Sequence, residues 1–199
     1  MAVAIPPPLS GFVGELDRLL ASKEPDYLYR AAAALKRLVV DKSWLPAAYR
    51  RPDAVHYQQY LLYRDPLSRF SIVSFVWGPG QRSPIHDHQV WGLVGVMDGA
   101  EYSQGYAAPA DPGDPPLIQG REKRLEAGDV EILSPALGDI HRVRNAHDDR
   151  ASVSIHVYGA DIGTVSRWVY APERPVASRK PFLSGYTNDN ATPPFFGML

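Results

Sequence analysis

From about residue 55 onward, short segments rich in Val, Ile, Tyr and Trp alternate with clusters of Gly, Pro and Asp. Many short strands separated by such turn residues are typical of an all-β sandwich or barrel. The loop at 107–116 is predicted to lie on the surface, because five of its ten residues are Pro or Gly. The predicted strands lie near residues 55–63, 70–77, 90–97, 101–106, 121–126, 130–133, 141–145 and 151–158.

Two amphipathic helices are predicted before the first strand. Apolar residues recur at helical spacing through 12–20, where Ser10 is a candidate N-cap. A second apolar stripe runs through 28–39 and follows Asp26.

The length of 199 residues favours one domain. After residue 170 the chain is again interrupted by prolines, which predicts an irregular segment that wraps over the barrel. We therefore predict a single domain over 1–199, with a helical appendage at 1–54, a β-barrel at 55–170 and a C-terminal wrap at 171–199.

The chain contains no cysteine. This excludes disulfides, thiolate zinc sites, iron–sulfur clusters and cysteine nucleophiles. Any metal ion must therefore be bound by His, by carboxylates or by backbone oxygens.

Charge and hydropathy limit the partners. The chain has 21 Lys+Arg against 22 Asp+Glu, which argues against a nucleic-acid binder. No segment approaches roughly 18 uninterrupted apolar residues, so no membrane span is expected. Residues 1–12 lack a basic region and contain three prolines, so no secretory signal is expected and the cytoplasm is the favoured location. The sequence leaves open whether the protein is a monomer or a homo-oligomer.

His86 and His88 are two residues apart. On a strand, residues i and i+2 point to the same face, so two imidazoles could converge on one metal ion. The alternative is a pair of surface histidines on a strand, which would have the same spacing.

The glycines and histidines around this pair fit the two motifs of the cupin family. That resemblance implies a double-sheet β-barrel of jelly-roll type and adds His141 as a third ligand. The Glu that the common first motif carries is absent, since Gly92 and Leu93 stand in its place. Three neutral imidazoles would leave about three open positions on an octahedral metal ion. The matching residues are Gly80, His86, His88, Gly92 and Gly99 in the first motif, and Gly128, Pro135, Gly138, His141 and Asn145 in the second.

Ser154, His156 and Tyr158 alternate along a predicted strand and should face one side. A hydroxyl, an imidazole and a phenol in line can form a hydrogen-bonded relay. The alternative is a polar row on a half-buried strand.

Three segments together resemble the thiol dioxygenases of the cysteine dioxygenase family. They are the HDH segment at 86–88, the GDIHRVRN segment at 138–145 and the Ser-His-Tyr row at 154, 156 and 158. The resemblance implies one Fe(II) per chain, bound by His86, His88 and His141. It also implies that both atoms of O2 are added to a substrate thiolate, which gives a sulfinate. Ser154, His156 and Tyr158 would form a triad beside the metal.

Two departures separate the chain from the mammalian-type members of that family. Their cysteine, which cross-links to the active-site Tyr, corresponds here to Gly92. Their substrate-binding Arg corresponds to Gln59, although a slip of one residue would place Gln58 there instead. Both changes are similar to the bacterial 3-mercaptopropionate dioxygenases, whose Arg shortly after the Tyr would be Arg167 here. An exposed surface arginine is the alternative for Arg167.

The function that this resemblance implies is oxidation of 3-mercaptopropionate, with the carboxylate on Arg167. Three alternatives remain at this point: a dioxygenase acting on L-cysteine, a cupin enzyme with another metal, and a non-enzymatic cupin that binds a small ligand.

Overall fold

A computed structural model describes residues 5–108 and 117–188. Most of the predicted surface loop at 107–116 and the C-terminal PPFFGML lie outside the described residues. The described part contains two α-helices and eleven strands, in the order α1 (Pro7–Ser22), α2 (Tyr27–Val40), β1 (Gln58–Arg64), β2 (Ser71–Trp77), β3 (Ile85–His86), β4 (Gly92–Asp98), β5 (Ala100–Ala107), β6 (Ile118–Glu126), β7 (Val130–Leu133), β8 (Ile140–Asn145), β9 (Ser152–Tyr158), β10 (Arg167–Tyr170) and β11 (Lys180–Phe182).

The strands form two antiparallel sheets, which confirms the predicted double-sheet barrel. The first sheet has the order β1-β2-β9-β4-β7, and the second has the order β11-β10-β3-β8-β5-β6. Strand β9 is buried along its whole length and lies between β2 and β4. Its even-numbered residues face the barrel interior, whereas Val153, Ile155 and Val157 pack against the helices.

The two helices cover the outer face of the first sheet. Their buried stripes include Leu16 of α1 and Leu35 of α2, which join one apolar core with residues of β1, β2, β4 and β9. The α2 helix lies close to β4, since a Cβ added at Gly95 would come within 3.0 Å of Leu35 and Val39. This contact anchors the strand that follows the HDH segment. No helix in the described ranges has the length and apolar character needed to cross a membrane.

The prediction of Ser10 as the first N-cap is wrong. Helix α1 begins at Pro7, and the backbone amide of Ser10 already donates to the carbonyl of Pro6 at 2.9 Å. Proline is favoured in the first helical turn, because its fixed φ suits the helix and its missing N–H would have no intrahelical partner. The second helix follows Asp26 as predicted.

The eight predicted strands are all present, with ends that shift by a few residues. Three further strands, β3, β10 and β11, have only two to four residues and were not predicted. The segment after residue 170 is therefore more regular than predicted, because β11 pairs with β10 at the edge of the second sheet. Such short strands carry too little alternation to be recognised from sequence.

Candidate metal centre

Two of the candidate ligands lie opposite each other in the second sheet. Strand β3 pairs with β8 so that His86 stands directly across from His141. On β8, His141 and Val143 are buried, whereas Arg142 and Arg144 on the other face are half-buried. The register thus brings two imidazoles to one place inside the barrel.

His88 reaches the same place by a different route from the one predicted. Strand β3 ends at His86, so His88 is not on a strand, and Gln89 after it has a left-handed φ of 60°. The carboxylate of Asp139 accepts hydrogen bonds from the backbone amides of His88 (3.1 Å) and Gln89 (3.0 Å). The connection after β3 is therefore folded onto the turn before β8, and this turns His88 inward.

The three imidazoles form a compact and buried group. One nitrogen from each of His86, His88 and His141 lies within 4.8 Å of the other two. Nε2 of His88 and Nε2 of His141 are 3.1 Å apart. In the described part of the chain, these three residues are the group that could hold a metal ion.

The protonation of the three rings also suits a metal ion. Burial, together with the charges of neighbouring His141 and Arg167, lowers the pKa of His86 well below its usual value. Burial likewise lowers the pKa of His141 to about 4. His86 donates from Nδ1 to the carbonyl of Pro84 at 3.1 Å, which leaves the lone pair of Nε2 free. Neutral imidazoles with free, converging lone pairs are the donor set that divalent transition metals bind.

The Ser-His-Tyr row is hydrogen-bonded from end to end. Ser154 Oγ lies 2.9 Å from His156 Nε2, and His156 Nδ1 lies 2.9 Å from the hydroxyl of Tyr158. Phe75 stacks on the His156 ring with centroids 4.0 Å apart. Burial raises the pKa of Tyr158, so its hydroxyl keeps its proton. Tyr158 meets the edge of the His88 ring at 5.1 Å between centroids, which places the end of the row beside the histidines.

A cavity opens onto His86, His141, His156 and Tyr158. Arg167, on β10, lies in its wall and is only 3% exposed, which excludes the alternative of a surface arginine. Its guanidinium donates to Ser184 Oγ and lies over the Phe182 ring, 4.7 Å from the centroid. The cavity is lined by Tyr57, Gln59, Phe75, Trp77, Ser83, Pro84, His86, His141, Val143, His156, Tyr158, Arg167, Phe182 and Ser184.

Of the two adjacent glutamines, Gln59 lines this cavity. It pairs across the sheet with Phe75, which also lines the cavity. Gln58 is turned to the other face of β1, where its side chain donates to the carbonyl of His56 at 2.6 Å. The register therefore favours Gln59 over Gln58 as the residue facing the pocket.

Several polar residues that surround the site were missed by sequence reasoning. Asp87 lies between the two histidines of the HDH segment and accepts hydrogen bonds from the backbone amide of Trp168 and the hydroxyl of Tyr170 at 2.8 Å each. Ser103 Oγ lies 3.4 Å from His141 Nδ1. Of these residues, only Asp87 could have been found from the sequence, because it lies between two candidate metal-binding histidines.

Similarity to known proteins agrees with this geometry. A sequence model of the family described as cysteine dioxygenase type I matches residues 43–170, well over half of the chain. The chain belongs to the cysteine dioxygenase type I family. This family assignment confirms the predicted resemblance to cysteine dioxygenases, whereas the likeness to 3-mercaptopropionate dioxygenases stays a prediction.

Among the relatives of this cysteine dioxygenase family member is cysteine dioxygenase type 1 from Bos taurus. The two are 25% identical over 118 residues, which is 59% of this chain and 58% of the bovine chain. The match thus spans less than two thirds of that relative.

Solved structures with similar folds include a double-stranded β-helix protein from Klebsiella pneumoniae subsp. pneumoniae. It is 18% identical, with a TM-score of 0.49, and covers 66% of this chain and 94% of that chain. A cupin 2 conserved barrel domain protein from Salinispora arenicola is 24% identical, with a TM-score of 0.42, and covers 59% and 86% of the two chains.

Proposed function

We propose that this protein is a thiol dioxygenase that holds one Fe(II) and oxidises a small carboxylate thiol, 3-mercaptopropionate, to its sulfinate with O2. Both oxygen atoms pass to the substrate sulfur, so sulfur is oxidised and dioxygen is reduced. The observation that supports this most directly is the pairing, in one cavity, of neutral histidines with a buried arginine. No carboxylate forms an ion pair with Arg167 in the described residues.

His86, His88 and His141 would hold the iron. A ferrous ion there would bring thiolate and dioxygen together and allow electrons to pass from sulfur to oxygen. The protein keeps the three imidazoles neutral and pointing toward one another. Apolar and aromatic side chains enclose much of the cavity. Enclosure strengthens electrostatic interactions with a bound anion, because little water remains to screen them.

Arg167 would bind the substrate carboxylate. Burial lowers the pKa of its guanidinium, but an arginine stays charged in proteins, so the cavity wall carries an unpaired positive charge. Ser184 and Phe182 fix the side chain from one side. An anionic substrate group would satisfy this charge and reach the histidines with its other end.

Tyr158 would place its hydroxyl beside the thiolate and dioxygen. His156 and Ser154 orient that hydroxyl through the hydrogen-bonded row. Its raised pKa keeps the phenol protonated, so it can donate a hydrogen bond toward negative charge that develops on oxygen.

The cavity also bears on the choice of thiol. Its lining includes no Asp or Glu, so an α-ammonium group would find no carboxylate partner there. This favours 3-mercaptopropionate over L-cysteine. L-Cysteine remains the second candidate, because the amide oxygen of Gln59 in the cavity wall could accept from an ammonium group. Specificity constants for the two thiols decide between them.

The first test concerns the metal ligands. Replacing His86, His88 or His141 by Ala should abolish both iron loading and thiol-dependent oxygen uptake. Iron per chain, measured by elemental analysis after reconstitution with Fe(II), separates metal loss from catalytic loss. His56→Ala is the control, since His56 is exposed and is not among the residues that line the cavity. Full iron content and activity in any of the three variants would refute the assignment.

The second test concerns the carboxylate. Arg167→Ala should raise the KM for 3-mercaptopropionate by about tenfold or more, because a charge-assisted hydrogen bond is lost. The KM for cysteamine, a thiol without a carboxylate, should change much less. Arg121→Ala, on the exposed strand β6, serves as the control. Equal effects on both thiols would argue against the role of Arg167.

A further inference from the structure

A buried carboxylic acid lies behind the Ser-His-Tyr row, and the proposed reaction does not use it. Glu101 is on β5, in the sheet that faces β9, and it is 0% exposed. Ser103, two residues on and therefore on the same face of β5, contacts His141 Nδ1 inside the barrel. Glu101 thus points into the interior as well, where its carboxyl interacts with the hydroxyls of Ser152 and Ser154.

The residues around Glu101 are uncharged. Its cross-strand partners are Leu125 on β6 and Asn145 on β8, and Ser152 and Ser154 face it from β9. The nearest titratable side chain along the row is His156, beyond Ser154. In the described residues, no Lys, Arg or His forms an ion pair with this carboxyl, and neither of its oxygens makes a hydrogen bond of standard geometry.

A carboxylate buried without a cation is unstable relative to the neutral acid. Burial raises the pKa of Glu101 to about 8, although the nearby hydroxyls of Ser154 and Ser152 oppose part of the shift. Near neutral pH the side chain is therefore mostly a protonated acid, which has one proton to donate.

Ser154 Oγ accepts from Trp77 Nε1 at 3.4 Å, and its single hydrogen can go either to Glu101 or to His156. The direction of hydrogen bonds along the row therefore depends on whether Glu101 carries a proton. If Glu101 donates to Ser154, then Ser154 donates to His156 Nε2. The ring proton of His156 is then on Nδ1 and is donated to the Tyr158 oxygen, which leaves the phenol proton free for the cavity. An ionised Glu101 would accept from Ser154 and reverse every bond, so that Tyr158 would donate to His156 instead.

We propose that Glu101 is a positioning residue which, as a neutral acid, directs the Ser154–His156–Tyr158 row so that the Tyr158 hydroxyl donates into the cavity. The proposal rests on the thiol dioxygenase function for its kinetic consequence. Its structural consequence, the tautomer of His156, does not depend on that function.

Two variants of Glu101 separate this role from simple packing. Glu101→Gln keeps the shape and a donating N–H group, so its kcat at neutral pH should stay within about twofold of wild type. Glu101→Leu fills a similar volume without a donor, and its kcat should fall by about tenfold with little change in KM. Glu131→Gln is the control, since Glu131 is a buried carboxylate that pairs with Lys123 outside the row. Iron content and thermal unfolding are measured for each protein.

The pH profile gives a readout that packing would not change. Wild-type kcat should fall as the pH rises through the pKa of about 8, because ionised Glu101 reverses the row. Glu101→Gln should lack this alkaline decline. The proposal fails if Glu101→Gln keeps the same decline, or if Glu101→Leu retains wild-type kcat.

The tautomer can be read in the metal-free protein by ¹⁵N NMR of the imidazoles. His156 should be protonated on Nδ1 below the pKa of Glu101 and on Nε2 above it, whereas Glu101→Gln should keep the Nδ1 tautomer throughout. The same tautomer at both pH values in wild type would overturn the proposal. If the tautomer switches but no thiol supports oxygen uptake, the inference about Glu101 stands and the proposed function fails.

Discussion

Gly92 stands directly against the ring of His88. A Cβ added at this position would lie 3.0 Å from His88 Nδ1 and 3.5 Å from the Tyr158 ring. We expect Gly92→Ala to push the imidazole away from its partners and to weaken Fe(II) binding by roughly tenfold. Titration of the metal-free variant with Fe(II) against a competing chelator measures the effect.

Gly105→Ala is the matched control for this substitution. Gly105 is also a strand glycine, on β5, but an added Cβ there would meet no atom within 4 Å. Its iron affinity should therefore be close to that of wild type. Wild-type affinity in Gly92→Ala would show that the His88 ring has room to move.

Most residues of the candidate site could be predicted from the sequence, but the residues that hold them in place could not. Spacing and resemblance predicted the three histidines, the Ser-His-Tyr row and Arg167, because these residues lie in short local motifs. Asp139 could not be predicted, since its contact with His88 joins positions 51 residues apart. Glu101 was missed for the same reason: a glutamate on a strand is ordinarily exposed, and only the opposing sheet shows that this one is enclosed.

At the scale of elements, Asp139 connects the turn before β8 to the segment after β3. Its two hydrogen bonds hold the backbone of His88 and Gln89, and burial raises the pKa of its carboxyl. We expect Asp139→Ala to weaken Fe(II) binding by about 10–100-fold, because one ligand loses its support. Iron affinity should be unchanged in Asp148→Ala, which removes an exposed carboxylate. Equal affinities in the two variants would contradict this role of Asp139.

The turn between β1 and β2 depends on a buried carboxylate. Asp65 accepts from the backbone amides of Leu67 and Arg69 and from the Arg69 guanidinium, which also pairs with Asp17 of α1 at 2.7 Å. Hydrogen bonds from Arg69 lower the pKa of Asp65 below its usual value. A carboxylate whose pKa is lower in the folded than in the unfolded protein stabilises the fold at pH values above its unfolded pKa. This stabilisation is lost as the pH falls through its folded pKa.

We therefore expect Asp65→Asn to lower the free energy of unfolding of the metal-free protein by about 1–3 kcal/mol at pH 7. The difference in free energy of unfolding between the variant and the wild type should become smaller as the pH falls below about 4. Urea unfolding across that pH range measures it. A gap that is constant with pH would show that the charge of Asp65 contributes nothing.

Strand prediction succeeded where strands were long enough to show alternation or a continuous apolar run. Strand β2, with the sequence SIVSFVW, is buried throughout and was found. Strand β11 consists of Lys, Pro and Phe, and its regularity arises only from pairing with β10. Such edge strands form because a sheet already exists beside them, and local sequence does not encode that partner.

At the scale of the whole molecule, the C-terminal segment at 182–188 covers the open edge of the first sheet and forms one wall of the cavity. Phe182 and Ser184 line the cavity beside Arg167. A few residues later, Thr187 and Asn188 bind β1, the edge strand of the first sheet. The segment thus bridges the two sheets across the cavity and sets the position of one of its walls.

Asn188 makes the attachment that is easiest to remove. Its side chain accepts from the backbone amide of Leu61 at 2.9 Å and donates to the Leu61 carbonyl at 3.0 Å, in place of a neighbouring strand. Asn188 is 1% exposed, so Asn188→Ala would leave two buried backbone groups unpaired. Each such group costs about 1–3 kcal/mol. We expect a lower thermal midpoint and a raised KM for 3-mercaptopropionate, because the wall beside Arg167 loosens.

The kcat of Asn188→Ala should change little, since Asn188 is not among the residues that line the cavity. Leu183→Ser, in the same segment but 62% exposed, should alter neither stability nor KM and is the matched control. Calorimetry of the metal-free proteins and steady-state kinetics of the iron-loaded proteins provide the two measurements. A normal KM together with a lowered thermal midpoint would mean that this segment stabilises the fold without shaping the cavity.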